Sequence, residues 1–438
     1  MDSSCYFDFQ AATPVPTDVV NAIYLSLKED WGDTSSKSKY GVKAKETIDR
    51  GRKSVSKLLN CTPEDIVFTS CASEGNNTVF NSVLKYWNNY TKTTGVKGEN
   101  PHFVISEIEH PSVIETVLKM ENEKLITVSF LSVQQSGVVD VLSVEDHLNM
   151  YKNTVIVSVM LANNETGMIN DVKSLATLIK RFNLNNRTNK KGCPILVHTD
   201  AAQAIGKMHV DVQSIGVDFL TISGKKMYGP SIGALYIKSP IKITPIYPLI
   251  YGAGQEAGLR SGAENVPMIA GLSLACDMAM QGIYRDLDHY DTLTKHFLHI
   301  METKNPHKDV FEIQFNGEFT GGQKVTPNVV NFSLKLLDKM QIPMVDELLA
   351  TDLAQKLSER GICIGKRSAC YPGRPSPILS AMGVTRDCLK LTLRFSVGRE
   401  TCIGDVERFV DAYWDMINDI CFNTKQISYI GRIFGWNV

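Results

Sequence analysis

The chain has 438 residues, 43% of them apolar and 21% charged, with 46 Lys and Arg against 47 Asp and Glu and a formal net charge of -1. This is the composition of a globular protein long enough for two domains, or for one large domain and a smaller one. The balanced charge argues against a polyanion partner, and no basic run points to nucleic acid or to an anionic membrane surface.

The longest strongly apolar stretches, such as residues 155–162, are too short to span a bilayer. The opening Met1-Asp2-Ser3-Ser4-Cys5 leads into a strand-like segment without the pattern of a signal or transit peptide, so a cytoplasmic protein is expected. Ten cysteines fall at 5, 61, 71, 193, 276, 363, 370, 388, 402 and 421 without zinc spacing or pairing rhythm. In a reducing compartment most of them read as small buried hydrophobes, and no metal site is expected.

Short β-branched runs at 66–69, 102–106, 126–132, 155–161, 195–198 and 219–222 predict strands. Residues 74–87, 112–121 and 172–182 between them predict helices. Such alternation of helices with nearly all-apolar strands implies an α/β fold, a mostly parallel sheet between helices, with ligands outside the carboxyl ends of the strands. Polar residues 88–100 and 183–192 read as surface insertions. After Val266 the pattern turns to long helices, with strands near 328–333 and 391–396, which predicts a smaller α+β domain. The expected division is 15–265 for the large domain, and 1–14 with 266–438 for the small one and a C-terminal tail.

Chemistry concentrates in HTDAAQAIGK at 198–207 and SGKKMYGP at 223–230, each following an apolar strand. A strand-end carboxylate such as Asp200 caps a helix in many proteins, and a Lys-Lys-Met-Tyr-Gly-Pro run is commonly just a turn. Facing a ligand, however, the carboxylate needs a cation, which a protonated pyridine nitrogen supplies. A lysine nearby can then form a Schiff base with an aldehyde.

Further motifs complete the set: FTSCASEGN at 68–76, Glu109-His110-Pro111, LANNETG at 161–167, Gly254-Gln255-Glu256, Leu259-Arg260-Ser261-Gly262, Ser368-Ala369-Cys370 and LRFSVG at 393–398. Together they resemble the class V aminotransferase family, and within it the cysteine desulfurases and selenocysteine lyases. The resemblance extends from Tyr6 to about Val410. The spacing from Asp200 to Lys226, 26 residues, is the family's.

That resemblance implies the pyridoxal-5′-phosphate (PLP) fold type I, with PLP on Lys226 and Lys226 moving the substrate's α-proton. It gives Asp200 to the pyridinium, Gln203 to the ring hydroxyl, and His110 to the ring face as a stacking group and acid/base. Asn164 orients ring hydroxyl and substrate, and Arg394 grips the substrate carboxylate. The phosphate falls to the backbone of Ala72 and Ser73 and the hydroxyls of Ser73 and Ser223. Cys370 matches the catalytic cysteine, in a Pro-rich stretch flanked by Arg367 and Arg374, whose charges favour thiolate.

Several non-catalytic stretches are similar to the selenocysteine lyase branch: Val96-Lys97-Gly98 with Pro101-His102-Phe103, the extended helix before Ile195, TPIYP at 244–248, PSPIL at 375–379, and Gly383-Val384. The activity implied is removal of selenium from L-selenocysteine to leave L-alanine. The alternatives are a cysteine desulfurase that builds a persulfide on Cys370 for an acceptor protein, or a diverged, non-catalytic protein of the same fold. A homodimer is implied, with a small amino acid as substrate.

The chain departs from the family at several edges of the site. Lys225 stands where the family has a histidine on the phosphate and is expected to contact the phosphate in its place as a charged donor, and Ala263 stands where a threonine reaches the phosphate of the other subunit. Cys71-Ala72 replaces Gly-Gly, Asp33 replaces an asparagine near the substrate, and Gln10 and Ala12 replace Asn and Thr.

Overall fold

The computed structural model describes residues 4–95, 99–187, 192–317, 325–366 and 376–422. The chain opens with β1 (Cys5–Phe7), α1 (Thr17–Glu29) and α2 (Lys39–Leu59). It continues through β2 (Ile66–Thr69), α3 (Ala72–Thr94), β3 (His102–Ser106), α4 (Pro111–Asn122), β4 (Thr127–Leu131) and α5 (Ser143–Met150). Then come β5 (Thr154–Ser158), α6 (Val172–Asn186), β6 (Leu196–Asp200), α7 (Val212–Ile215), β7 (Phe219–Ser223) and β8 (Gly233–Ile237). The remainder holds α8 (Val266–Thr303), β9 (Phe311–Phe315), β10 (Val329–Leu336), α9 (Val345–Ala350), α10 (Leu353–Ser358), β11 (Ile362–Ile364), α11 (Pro377–Ala381), α12 (Arg386–Lys390), β12 (Thr392–Ser396) and α13 (Ile403–Phe422).

Among the described residues the main sheet has seven strands in the order β2-β8-β7-β6-β5-β3-β4. Only β8 runs antiparallel to its neighbours; every other adjacent pair is parallel. Strands β2, β3, β5, β6, β7 and β8 are buried along their whole length, as a sheet covered on both faces requires. Edge strand β4 keeps two of its five residues exposed. A separate antiparallel sheet has the order β12-β10-β9, and β1 pairs in parallel with β11.

Each strand expected from the sequence is present, with ends moved by a few residues. β8 was not anticipated, because its short apolar run directly follows a tight turn. The two polar stretches read as insertions are in part helical. Helix α3 runs on to Thr94 and α6 to Asn186. In α3 the hydroxyls of Thr91, Thr93 and Thr94 donate to carbonyls three or four residues back, and Gly95 closes the helix at φ 73°. A solvent-facing helix end satisfied in this way carries no apolar periodicity.

Helix α8 is long and apolar enough to cross a bilayer, against the sequence expectation, yet its apolar face is taken up by packing. Its first half, Val266 to Ala279, joins the core that includes Val157, Leu220 and Ile222. Tyr290, Phe297 and Met301 from its second half join Phe332, Phe395 and Phe409 in the second core, together with Cys5 and Phe7 of β1. The Gly254-Gln255-Glu256 motif serves this architecture. Glu256 receives both terminal nitrogens of Arg52, at 2.9 and 2.6 Å, and the Phe68 amide at 2.9 Å. Glu256→Ala leaves that guanidinium without its anion, so we expect a loss of about 3 kcal/mol, read as a lower urea midpoint. An unchanged midpoint refutes this role.

Candidate active site

The carboxyl ends of the sheet strands converge as the strand–helix pattern requires. Asp200 and Ser223 are the last residues of β6 and β7. Lys225 and Lys226 occupy the single 3₁₀ turn that follows β7. Ala72 and Ser73 open α3, and His110 caps α4. Arg394 arrives from β12 of the smaller sheet.

The SGKKMYGP turn is compact for specific reasons. A side chain at Gly224 would lie 2.6 Å from the Pro230 carbonyl oxygen, and one at Gly229 3.0 Å from that of Gly224. Tyr228 is held at φ 63°, with its amide donating to Thr13 Oγ1 at 2.7 Å. This geometry separates two adjacent lysines. Lys225 is exposed, with its carbonyl accepting from Thr13. Lys226 turns inward and donates to the Gln10 and Ala11 carbonyls, both at 2.7 Å. Burial first, then the Arg394 and Lys225 cations, pull the Lys226 amine down to about 8. A half-buried amine that is partly neutral near pH 8 is a usable nucleophile and base.

Asp200 is buried and accepts from the Ala202 amide at 2.9 Å and from Asn76 Nδ2 at 2.8 Å. The same Asn76 nitrogen donates to Ser112 Oγ at 2.9 Å, and Ser112 Oγ lies 2.8 Å from His110 Nδ1. The Ser112 amide also donates to His110 Nδ1, at 3.1 Å. Since that amide can only donate, the neutral ring carries its proton on Nε2. Burial holds His110 below the usual imidazole range, against the pull of Asp200 and together with Lys226 and Lys225.

Glu109, beside His110, is buried; its Oε1 accepts from Ser106 Oγ and from the Met160 amide at 2.6 Å. Its Oε2 has no partner among the described residues. Burial pushes this carboxyl up to about 8, with Asp200 adding to the shift. Folding therefore retains a proton that the unfolded chain releases near the ordinary Glu value. The resulting stability is complete below about pH 4.5 and is lost as pH rises through about 8. We expect the apoprotein's urea midpoint to fall less between pH 5.5 and 8 in Glu109→Gln than in the parent. Parallel curves contradict this assignment.

Arg394 is buried, with Nη1 on the Asn164 carbonyl at 2.9 Å and Nη2 on Asp8 Oδ1 at 2.7 Å. Its Nε and Asn164 Oδ1 lack partners among the described residues, as do Asn76 Oδ1 and Gln10 Nε2. Gly365 permits this approach, since a Cβ there would sit 2.5 Å from Asp8 Oδ1 and 3.1 Å from Arg394 Nε. Gln203 Nε2 donates to the Gln10 carbonyl at 3.1 Å. At the other end, Ala72 and Ser73 are half-buried at the first turn of α3. A side chain at Gly75 would lie 3.1 Å from Thr221, which keeps this helix start close to the end of β7 and hence to Ser223.

These residues fit PLP. The arrangement offers a carboxylate for a pyridinium, an inward amine, a helix N-terminus with hydroxyls for a phosphate, and buried polar atoms that a polar ligand would satisfy. Among the described residues no group of His, Cys, Asp and Glu is arranged to hold a metal ion. Cys370, with Arg367 and Arg374, lies outside the described residues.

At the edges, Asp33 is exposed and turned onto its own loop, accepting from the Ser35 amide and hydroxyl at 2.9 and 2.7 Å, which hold it below the usual carboxylate range. Ala263 lines a cavity of about 260 Å³ with Arg260, Glu264, Ser70 and Ser231. Arg260 is paired there with Glu74 at 3.0 Å. Four participants carried no role in the sequence reading: Asp8, Asn76, Ser112 and Lys207. Asn76 was the most accessible of them, closing a quoted motif one helical turn after Ser73.

The sequence model of the family described as Aminotransferase class-V matches residues 5–409. A selenocysteine lyase from Homo sapiens is 38% identical over 417 residues, covering 92% of this chain and 90% of that protein. A cysteine desulfurase from Nostoc sp. is 31% identical over 418 residues, 95% of this chain and 93% of its own. A solved structure of a NifS-like protein superposes with TM-score 0.77 at 28% identity, covering 95% of this chain and 99% of that one. With its site built at the strand ends as described and its sequence matched almost throughout, the chain belongs to the class V aminotransferase family.

Proposed function

We propose that the protein is a PLP-dependent lyase that removes selenium from L-selenocysteine and leaves L-alanine. The observation that carries this is the inward Lys226 amine beside Asp200, in a chain 38% identical to a selenocysteine lyase over 92% of its length. When bound, PLP supplies an electron sink for negative charge at the substrate's α-carbon. Asp200 is the anion that keeps a pyridine nitrogen protonated there. Arg394 Nε, with no protein acceptor among the described residues, is available to a carboxylate and so sets the orientation of the amino acid. Lys226, with its lowered proton affinity, takes the α-proton, and His110 offers Nε2–H as a second acid.

Cys370 acts at selenium, by attack or by protonation. In the overall change the Cβ–Se bond breaks and its electron pair stays with Cβ. Cβ takes up a proton, and selenium leaves at oxidation state zero for a thiol acceptor.

The test is release of alanine, and of selenide or sulfide, from L-selenocysteine and L-cysteine under identical conditions with a thiol reductant. We expect L-selenocysteine to have the higher kcat/KM. We also expect Cys370→Ala to be dead with cysteine while keeping some turnover with selenocysteine, whose Cβ–Se bond is weaker than the Cβ–S bond. Faster turnover of cysteine supports the desulfurase reading instead, in which Cys370 carries a persulfide for an acceptor protein. No alanine from either substrate leaves the non-catalytic reading.

We also propose a homodimer in the cytoplasm. Exposed Tyr24 and Leu27 of α1, with Ile241 and Ile243, support the first part as exposed apolar surface. The free thiols of nine described cysteines support the second.

A further inference from the structure

Lys207 ends the HTDAAQAIGK motif and is 4% exposed, without a carboxylate at ion-pair distance among the described residues. Its Nζ donates to Gln10 Oε1 at 2.5 Å and to Gln203 Oε1 at 2.8 Å. Gln203 Nε2 in turn donates to the Gln10 carbonyl at 3.1 Å, and that carbonyl also receives Lys226 Nζ at 2.7 Å. The buried Lys207 amine and the half-buried Lys226 amine are therefore joined through residue 10, by its side-chain oxygen on one and its main-chain oxygen on the other. A glutamine reaches one methylene further than the family's asparagine at this position.

A buried lysine held only by neutral oxygens is costly as a cation. Burial, with Lys226 and Arg394 nearby, holds Lys207 well below the ordinary lysine range. Charged or neutral, Nζ donates to both oxygens, Gln10 Oε1 and Gln203 Oε1. The reversed Gln203 amide would leave one of these donors without an oxygen and set Oε1 against the Gln10 carbonyl, so the amide is held with Oε1 on Lys207 and Nε2 on that carbonyl. One Nε2 hydrogen goes to the Gln10 carbonyl, and the other is left to donate.

We propose that Lys207 is a positioning residue of the cofactor site, which fixes the Gln203 amide as a donor toward PLP and braces residue 10 against Lys226. The proposal rests on the reading of Lys226 as the PLP lysine. A fixed donor at a phenolic oxygen favours its ionised form, so the role shows in affinity and in the absorption spectrum.

The experiment compares the parent, Lys207→Met, Gln203→Ala and the double variant. It measures the PLP dissociation constant of each apoprotein and, in each holoenzyme at one fixed pH, the ratio of the cofactor's absorption bands. We expect Lys207→Met to weaken PLP binding about tenfold and to change the band ratio. In the Gln203→Ala background the same substitution should change either by no more than about twofold, because the amide through which it acts is gone. Lys207→Gln, which retains a donor, should return the band ratio toward the parent's, and it serves also if the methionine variant fails to fold. Equal effects in both backgrounds, no effect in the parent, or a Lys207→Gln spectrum identical to that of Lys207→Met overturns the proposal. A colourless parent that takes up no PLP overturns the cofactor reading, and this proposal with it.

Discussion

Lys226→Ala yields a colourless protein whose alanine release is lower by at least about 10⁴-fold, since one substitution removes both the covalent anchor and the base for the α-proton. Lys225→Ala, one residue away, stays yellow. The contrast follows from the turn: Lys225 is exposed, while Lys226 is drawn in under the Gln10 and Ala11 carbonyls. The same geometry sets a pH dependence. An amine attacks an aldehyde only when neutral, and Lys226 is pulled down to about 8. The rate of PLP uptake by the apoprotein should therefore climb from pH 7 and level off above about pH 9, whereas an ordinary exposed lysine would drive a rise continuing past pH 10. Stopped-flow absorbance at several pH values checks this. A yellow Lys226→Ala protein, or uptake that keeps rising past pH 10, removes Lys226 from the role.

How far the sequence revealed this site depended on whether a residue's role is local. Ser223, Lys225 and Lys226 were placed by a turn whose glycines and positive-φ tyrosine are constrained within eight residues. Asp200 was legible because it ends an apolar strand of period and composition typical of a buried sheet. The partners of these groups were not legible. Asp8 meets Arg394 across 386 positions, and Lys207 meets Gln10 across 197. No periodicity or spacing rule connects such pairs; they exist because β1 and the chain just after it run beside β11 and β12. The Asn76–Ser112 bridge needs α3 and α4 to start side by side, which follows from strand order and not from either helix alone. The polar ends of α3 and α6 failed for the opposite reason, because there the local signal was present and misleading. Their Asn and Thr side chains read as loop until their hydrogen bonds to the helix's own carbonyls are seen.

Arg394→Lys should keep the yellow colour and the melting behaviour of the holoenzyme while kcat/KM falls by about 100-fold. The guanidinium makes two contacts and keeps one donor over. Nη2 balances Asp8, Nη1 holds the Asn164 carbonyl, and Nε, buried without an acceptor among the described residues, is the donor we assign to the substrate carboxylate. A lysine ammonium is a single point charge and settles on Asp8, the nearest anion, so the amino-acid carboxylate loses a charge-assisted hydrogen bond. Such a bond contributes roughly 1.5–3 kcal/mol, the upper half of which corresponds to the expected loss. It orients the substrate as well as binding it, so the fall should appear in kcat as well as in KM. Asp8→Asn provides the complementary arm. It removes one anion beside the incoming carboxylate while keeping an oxygen for Nη2, and should therefore lower KM. If Arg394→Lys leaves KM and kcat within threefold of the parent, the substrate carboxylate is held elsewhere, and the Asp8–Arg394 pair is a fastener between β1 and β12 and nothing more.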